Sequence, residues 1–263
     1  MTNNSINWTN TKAMELLEDG LTVVPAAISH RLIDQFRDLI IDNHNLFKRT
    51  RSNPSCGHLP GFHHISQFSL LHETIASNHF VVDILAKRYP NCKFESLDLT
   101  DITINRSQEW HIDLPRGHYR HFINEDIAWD PILGGGVYKV LLYMQNGKSL
   151  KYIKGSHLKK ISLVSDDQNI LTESGQEKSL KCEKGSLIIM DIRLIHRGST
   201  QSECDQIEAN GNIKILASTV VGSKEHALSR QVRAGNSYRH NEWLKLHRNT
   251  AATFLPKIHK WQQ

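Results

Sequence analysis

Lys184-Gly185-Ser186-Leu187-Ile188-Ile189-Met190-Asp191 is a glycine turn followed by a short apolar run. The run is short and apolar, and it reads as a strand. The same texture holds from Lys93 onward. Short β-like runs at 94–105, 110–113, 137–145, 150–153, 180–182, 186–189 and 213–221 are broken by Gly134-Gly135-Gly136, Asn146-Gly147, Lys154-Gly155, Lys184-Gly185 and Asn210-Gly211. Many short strands with glycine turns predict a sandwich or barrel.

The first third of the chain reads differently. Residues 11–19 suit a short helix that ends at Asp19-Gly20, and Leu21-Thr22-Val23-Val24 suits a strand that Pro25 stops. Ser29 is placed to cap a helix over 30–43, with Leu32, Ile33, Phe36 and Ile40 on one face. Residues 44–70 are polar and irregular, a lid or a loop, and a helix over 73–88 ends before Pro90. The basic tail over 240–263, with Trp243, Leu246, Phe254 and Trp261, suits a covering helix. Helices followed by a β block predict an α+β class with the helices packed on one face. We expect one domain over 1–263: a helical and loop region over 1–92, a β-core over 93–222 and a covering segment over 223–263.

The 263 residues are 39% hydrophobic and 22% charged, the balance of a soluble globular chain rather than a disordered or fibrous one. Apolar runs are far too short to span a bilayer, and the first residues lack a basic stretch followed by an apolar one. The expectation is a cytoplasmic protein with no membrane partner. Four scattered cysteines form neither a C-x-x-C zinc pair nor a disulfide framework. The net charge of +5 is spread along the chain, which suits a solvated surface or a polar or anionic small molecule better than a nucleic-acid stripe.

His111-Ile112-Asp113 closes one β run, and His196 ends another that starts at Ser186. Side chains i and i+2 of a strand share a face, so His111 and Asp113 can reach one metal together. A second histidine from a neighbouring strand completes two nitrogens and one carboxylate on one face of an octahedron, a donor set suited to non-haem Fe(II) with open positions for a co-substrate and O2. H-x-D also occurs by chance, and the chain holds 16 histidines. His63-His64, His118 and His121 read as loop or rim residues. Trp110 and Met190 read as core.

Three stretches occur in a set order: Ser107-Gln108-Glu109-Trp110-His111-Ile112-Asp113, then Lys154-Gly155-Ser156-His157, then Lys184 to Asp191 through His196-Arg197-Gly198-Ser199. In this the sequence resembles the phytanoyl-CoA dioxygenase family of Fe(II)/2-oxoglutarate-dependent oxygenases, as does the opening Glu18-Asp19-Gly20-Leu21-Thr22-Val23-Val24-Pro25. The resemblance spans about residues 14–222. It implies a double-stranded β-helix, a jelly-roll core. It implies that His111, Asp113 and His196 hold Fe(II) and are the catalytic centre. It also implies that 2-oxoglutarate and O2 are co-substrates, and that the product is a hydroxylated small molecule with succinate and CO2 released. A carboxylate at position 113, where related halogenases have Gly or Ala, implies hydroxylation, desaturation or ring closure. A specialised-metabolite tailoring step fits this family.

The far carboxylate of 2-oxoglutarate needs a cation, and here the sequence departs from the family's arginine. Lys214 falls near that position after an insertion, and Lys139 lies inside an apolar run where it wants a buried anion. Both are candidates, with Arg197 and Arg193 behind them. A lysine offers a point charge rather than a bidentate fork. Gln108 is a further candidate for the pocket wall. Gly155-Ser156-His157 reads as a structural turn. Residues 44–70 and 114–134 are the loops expected to carry specificity, with Arg51, Arg106, Arg116 and Arg120 near the mouth. Two other readings stay open: a catalytically silent jelly-roll binding protein, and a nucleic-acid demethylase of the same superfamily, for which Trp243, Lys260 and Trp261 are the candidate contacts.

Overall fold

The computed structural model describes residues 3–48, 56–163 and 177–246. The helices are α1 (Asn3–Glu18), α2 (His30–Asp42), α3 (Ser69–Ala76), α4 (His79–Arg88), α5 (Glu125–Ala128), α6 (Gln201–Ala209) and α7 (Ala227–Leu246). The strands are β1 (Leu21–Val24), β2 (Gly57–Pro60), β3 (Phe94–Ile104), β4 (Val137–Tyr143), β5 (Gly147–Ile153), β6 (Glu177–Cys182), β7 (Leu187–Asp191), β8 (His196–Arg197) and β9 (Ile215–Ser223). They form a six-stranded antiparallel sheet in the order β1-β7-β4-β9-β3-β2 and a three-stranded sheet in the order β6-β5-β8. The α+β class follows the expectation from helices ahead of glycine-punctuated β runs, and the jelly-roll core is the one the family resemblance implies.

Strand β4 shows why the layers stack as they do. It lies between β7 and β9, and all seven of its residues are buried. Tyr138, Val140 and Leu142 face one way, into a core shared with Ile33, Phe36 and Ile40 of α2 and with Leu71 and Ile84 of α3 and α4. Leu141 and Tyr143 face the other way, onto Leu150 and Tyr152 of β5 and Cys182 of β6. The period of two thus puts α2, α3 and α4 on one face of the large sheet and the small sheet on the other. Truncating a fully buried leucine such as Leu142 should cost about 2–5 kcal/mol.

Several local expectations are corrected. Helix α1 starts well before residue 11. The helix over 73–88 is two helices, because Asn78 interrupts it and recaps the chain by accepting from the Phe80 amide at 3.1 Å. The segment over 44–70 is not a lid in its described part: β2 pairs with β3, and Phe62, Ile65 and Phe68 are buried. His63 is likewise buried rather than on a rim, with Nδ1 2.8 Å from Thr100 Oγ1. Residues 110–113 are not a strand; only His111 pairs there, in a single bridge to His196. His118 and His121 are exposed on a short turn. The turn at Gly155-Ser156-His157 joins elements, as Ser156 Oγ accepts from the Ile195 amide at 2.9 Å and His157 Nε2 lies 3.1 Å from the Leu17 carbonyl. Arg51, Phe254, Lys260, Trp261 and the side chain of Trp243 lie outside the described residues. No helix among the described residues is long and apolar enough to cross a membrane.

Candidate metal centre and its cavity

His111 and His196 are joined backbone to backbone, each amide donating to the other's carbonyl at 2.9 Å. The Asp113 amide donates to Ile192 O at 2.8 Å, which anchors the aspartate to the chain just before β8. The pairing of separate segments, rather than a shared strand face, thus brings the three side chains together. Their ligand atoms all lie within 4.8 Å of one another. His111 Nε2 stands 3.8 Å from Asp113 Oδ1, and His196 Nε2 stands 3.5 Å from Asp113 Oδ2.

The tautomers follow from the hydrogen bonds. His111 Nδ1 lies 2.6 Å from the Glu109 carbonyl, and His196 Nδ1 lies 2.9 Å from the Leu194 carbonyl. A carbonyl only accepts, so both protons sit on Nδ1 and both Nε2 lone pairs point inward. Burial, followed by the neighbouring His196, pushes His111 down to about 3. Burial also lowers His196. Burial alone would raise Asp113, but Lys139 and the two histidines hold it well below the usual carboxylate range. The group therefore sits ready as two neutral imidazoles and one carboxylate, the protonation states that ligate a metal. His111 Nε2 and Asp113 Oδ2 are buried with no hydrogen-bond partner, which is costly unless something else binds them. A divalent ion with N2O ligation, such as Fe(II), fits that vacancy in bonding.

His111 and Asp113 of the triad open on a cavity of about 550 Å³. Lys139 lines it and places Nζ 2.9 Å from Asp113 Oδ1. Its strand is central, not an edge, and the anion that a buried lysine requires is Asp113. The Lys139 contact takes Oδ1 and leaves Oδ2 as the free oxygen. Gln108 also lines this cavity. Lys214 does not. It is buried at the head of β9, its Nζ donating to Ser149 Oγ at 2.8 Å and Ser199 Oγ at 2.7 Å, and it lines a second cavity of about 1060 Å³ that none of the triad touches. Arg197 pairs with Glu203 at 3.0 Å and lies over the Trp110 ring. Arg193 pairs with Asp191 at 2.8 Å.

The sequence reading missed other parts of the wall. His58 and Asp101 meet at 2.6 Å across the β2–β3 pair, and Tyr119, Asn236 and Arg239 close one side. Asp101 and His58 are far apart in sequence, so only strand register joins them. Asn236 and Arg239 lie ahead of the covering helix expected over 240–263, because α7 begins at Ala227, and the cavity that α7 meets had no signal in the sequence.

No protein-family model and no curated protein matches the chain. Solved structures do match in fold. The non-heme α-ketoglutarate-dependent epimerase SnoN from nogalamycin biosynthesis aligns with a TM-score of 0.56 at 12% identity, over 82% of this chain and 81% of that one. The α-ketoglutarate-dependent carbocyclase SnoK aligns at 0.53 and 10% identity, over 81% and 83%. HygX from Streptomyces hygroscopicus, with nickel and 2-oxoglutarate bound, aligns at 0.55 and 14% identity, over 85% and 88%. SnoN has also been solved with Fe3+, α-ketoglutarate and nogalamycin RO. This chain has the fold of these non-heme 2-oxoglutarate-dependent enzymes and a His-Asp-His cluster compatible with iron.

Proposed function

We propose that this protein is an Fe(II)- and 2-oxoglutarate-dependent oxygenase of the phytanoyl-CoA dioxygenase-like kind. Its reaction would be hydroxylation of a C–H bond of a small polar molecule, in a tailoring step of specialised metabolism. The observation that carries the reading is the convergence of two histidines and one carboxylate within 4.8 Å of one another, with His111 Nε2 and Asp113 Oδ2 buried and without a hydrogen-bond partner. Iron and 2-oxoglutarate bound there would supply the oxidising power for O2 chemistry, with succinate and CO2 as co-products. The chain's own residues bind and orient. Glu109 O and Leu194 O hold the imidazoles in the ligating tautomer. Lys139 holds Asp113 through Oδ1, which favours a one-oxygen ligand and leaves more of the metal's positions open. Because Lys139 shares the triad's cavity, we assign it, ahead of Lys214, to the co-substrate's carboxylate.

The test is an anaerobic Fe(II) titration with and without 2-oxoglutarate, following the visible metal-to-ligand charge-transfer band. The band is expected in the wild type and absent in His111→Ala and His196→Ala. Its absence in the wild type at saturating iron and 2-oxoglutarate would overturn the reading.

A further inference from the structure

Four acids line the triad's cavity: Asp98, Asp101, Asp113 and Glu242. Each already has a cation or imidazole: Arg233 for Asp98 at 3.5 Å, His58 for Asp101 at 2.6 Å, Lys139 for Asp113 at 2.9 Å and Lys245 for Glu242 at 2.8 Å. The cations are not matched in the same way. Arg116 donates to the Ile112 carbonyl, but Arg106 and Arg239 make no ion pair with any described residue. Arg239 is the more constrained of the two. Its guanidinium lies over the Tyr119 ring, 4.4 Å from the centroid, and its Nε is buried with no hydrogen-bond partner.

One turn earlier on α7, Asn236 presents the complementary defect. It is 1% exposed, and its Nδ2 donates to the Leu97 carbonyl at 2.9 Å. A carbonyl cannot donate, so this bond fixes the amide's orientation and leaves Oδ1, which is buried and unpartnered, as an acceptor. Residues i and i+3 share a helix face. That face therefore offers the cavity a planar cation whose Nε is buried and unpartnered, and a buried, unpartnered carbonyl oxygen. Leaving such groups unmet is costly, and a ligand with the opposite pattern removes the cost.

We propose that α7 is the substrate-reading element, and that the substrate is a small organic anion, bound through its acidic group by Arg239 with Arg106 adding charge, and carrying a hydroxyl or amine that donates to Asn236 Oδ1. This rests on the oxygenase reading for the identity of the substrate site, but the binding claim can be tested without turnover.

The experiment titrates the Fe(II)- and 2-oxoglutarate-loaded protein under argon with L-malate and, separately, with its uncharged diamide, by calorimetry. The 2-oxoglutarate occupies the metal, so malate reports on the remaining cavity. Malate is expected to bind and the diamide not. Malate affinity should fall at least about tenfold in Arg239→Gln, remain largely intact in Arg239→Lys, and fall several-fold in Asn236→Leu. The charge-transfer band and melting temperature should stay at wild-type values in Arg239→Gln and Arg239→Lys. Equal binding of malate and diamide, or malate binding unchanged in Arg239→Gln, overturns the proposal. If the wild type shows no charge-transfer band, the oxygenase reading fails by itself, and the same titration on metal-free protein still decides the anion claim.

Discussion

Two lysines are buried on the same face of the large sheet, and they are buried in opposite ways. Lys139, in the middle of β4, meets the carboxylate of Asp113. Lys214, at the head of the adjacent β9, meets two serine hydroxyls and forms no ion pair with a described residue. Burial pushes Lys214 down to about 8, with Cys204 and Glu203 pulling the other way. A buried ammonium facing a carboxylate is one half of a pair whose rupture strands a charge. A buried ammonium facing hydroxyls has a cheaper exit, which is to lose its proton. The comparison teaches that burial alone does not mark a functional lysine; the partner does.

The largest effect should come from the histidines proposed to hold iron beside Asp113, the partner of Lys139. His111→Ala should weaken Fe(II) binding by more than about 100-fold in calorimetry, beyond the range typical for outer-shell changes. Fe(II) affinity close to wild type in that variant would break the comparison at its root.

Next comes the pair itself. Lys139→Met leaves Asp113 buried without its cation, and removal of one partner of a buried pair costs about 3–5 kcal/mol. Urea unfolding of the metal-free variant should show that loss, and added Fe(II) should restore part of it by mass action. Lys214→Met strands no anion. At pH 7 it should be close to neutral or stabilising, and it should leave 2-oxoglutarate affinity near the wild-type value while Lys139→Met lowers it. The reverse pattern would move the co-substrate's carboxylate to the far cavity.

How much of this was visible in the sequence divides along the same line. The β-core and its helical cover were legible, because strand period and glycine turns are local signals; the three candidate ligands came from the ordered motifs of a family resemblance, since H-x-D alone is common and His196 lies far along the chain. That Lys139 needs an anion was legible too, since a lysine inside Val137-Tyr138-Lys139-Val140-Leu141-Leu142 demands one. Its identity as Asp113 was not, because it depends on how the segment at 111–114 docks on residues 192–196. The expectation of a lid or loop at 44–70 failed for a related reason. Its polar composition hid Leu59 on the short strand β2 and Phe62, Ile65 and Phe68 in and beside short turns, all of which reach the core. Asn236 and Arg239 precede the tail expected to form the covering helix and carried no signal in the sequence.

The pH dependence sharpens the contrast at a smaller scale. Lys214 has a folded-state value below its ordinary 10.5, so the unfolded chain binds more protons between about 8 and 10.5. The contribution of Lys214 is complete above the unfolded value and is lost as pH falls through about 8. The stability of wild type relative to Lys214→Met should therefore rise across that window, by at most about 3 kcal/mol. Urea unfolding of both proteins at pH 7.5, 9 and 10.5 measures it. A flat difference would mean that Lys214 is charged or solvated like any surface lysine.

The smallest effect tests what lies beside Lys214. Helix α6 starts with Thr200, whose side chain accepts from the Glu203 amide while the Glu203 carboxylate accepts from the Thr200 amide. Glu203 is also the partner of Arg197 and one of the groups that supports the charge on Lys214. Its own value is held below the ordinary one: burial works against this, but the Arg197 and Thr200 hydrogen bonds prevail. Thr200→Ala removes the cap alone and should cost about 1 kcal/mol. Glu203→Gln keeps an acceptor for the cap but removes the negative charge, so it should cost less than that at pH 7 and move the Lys214 window to lower pH. Fe(II) affinity should be unchanged in both variants, because neither residue lines the triad's cavity. A loss of iron binding in Glu203→Gln would show that the two ends of the barrel are coupled, and the contrast between the two lysines would then describe one site rather than two.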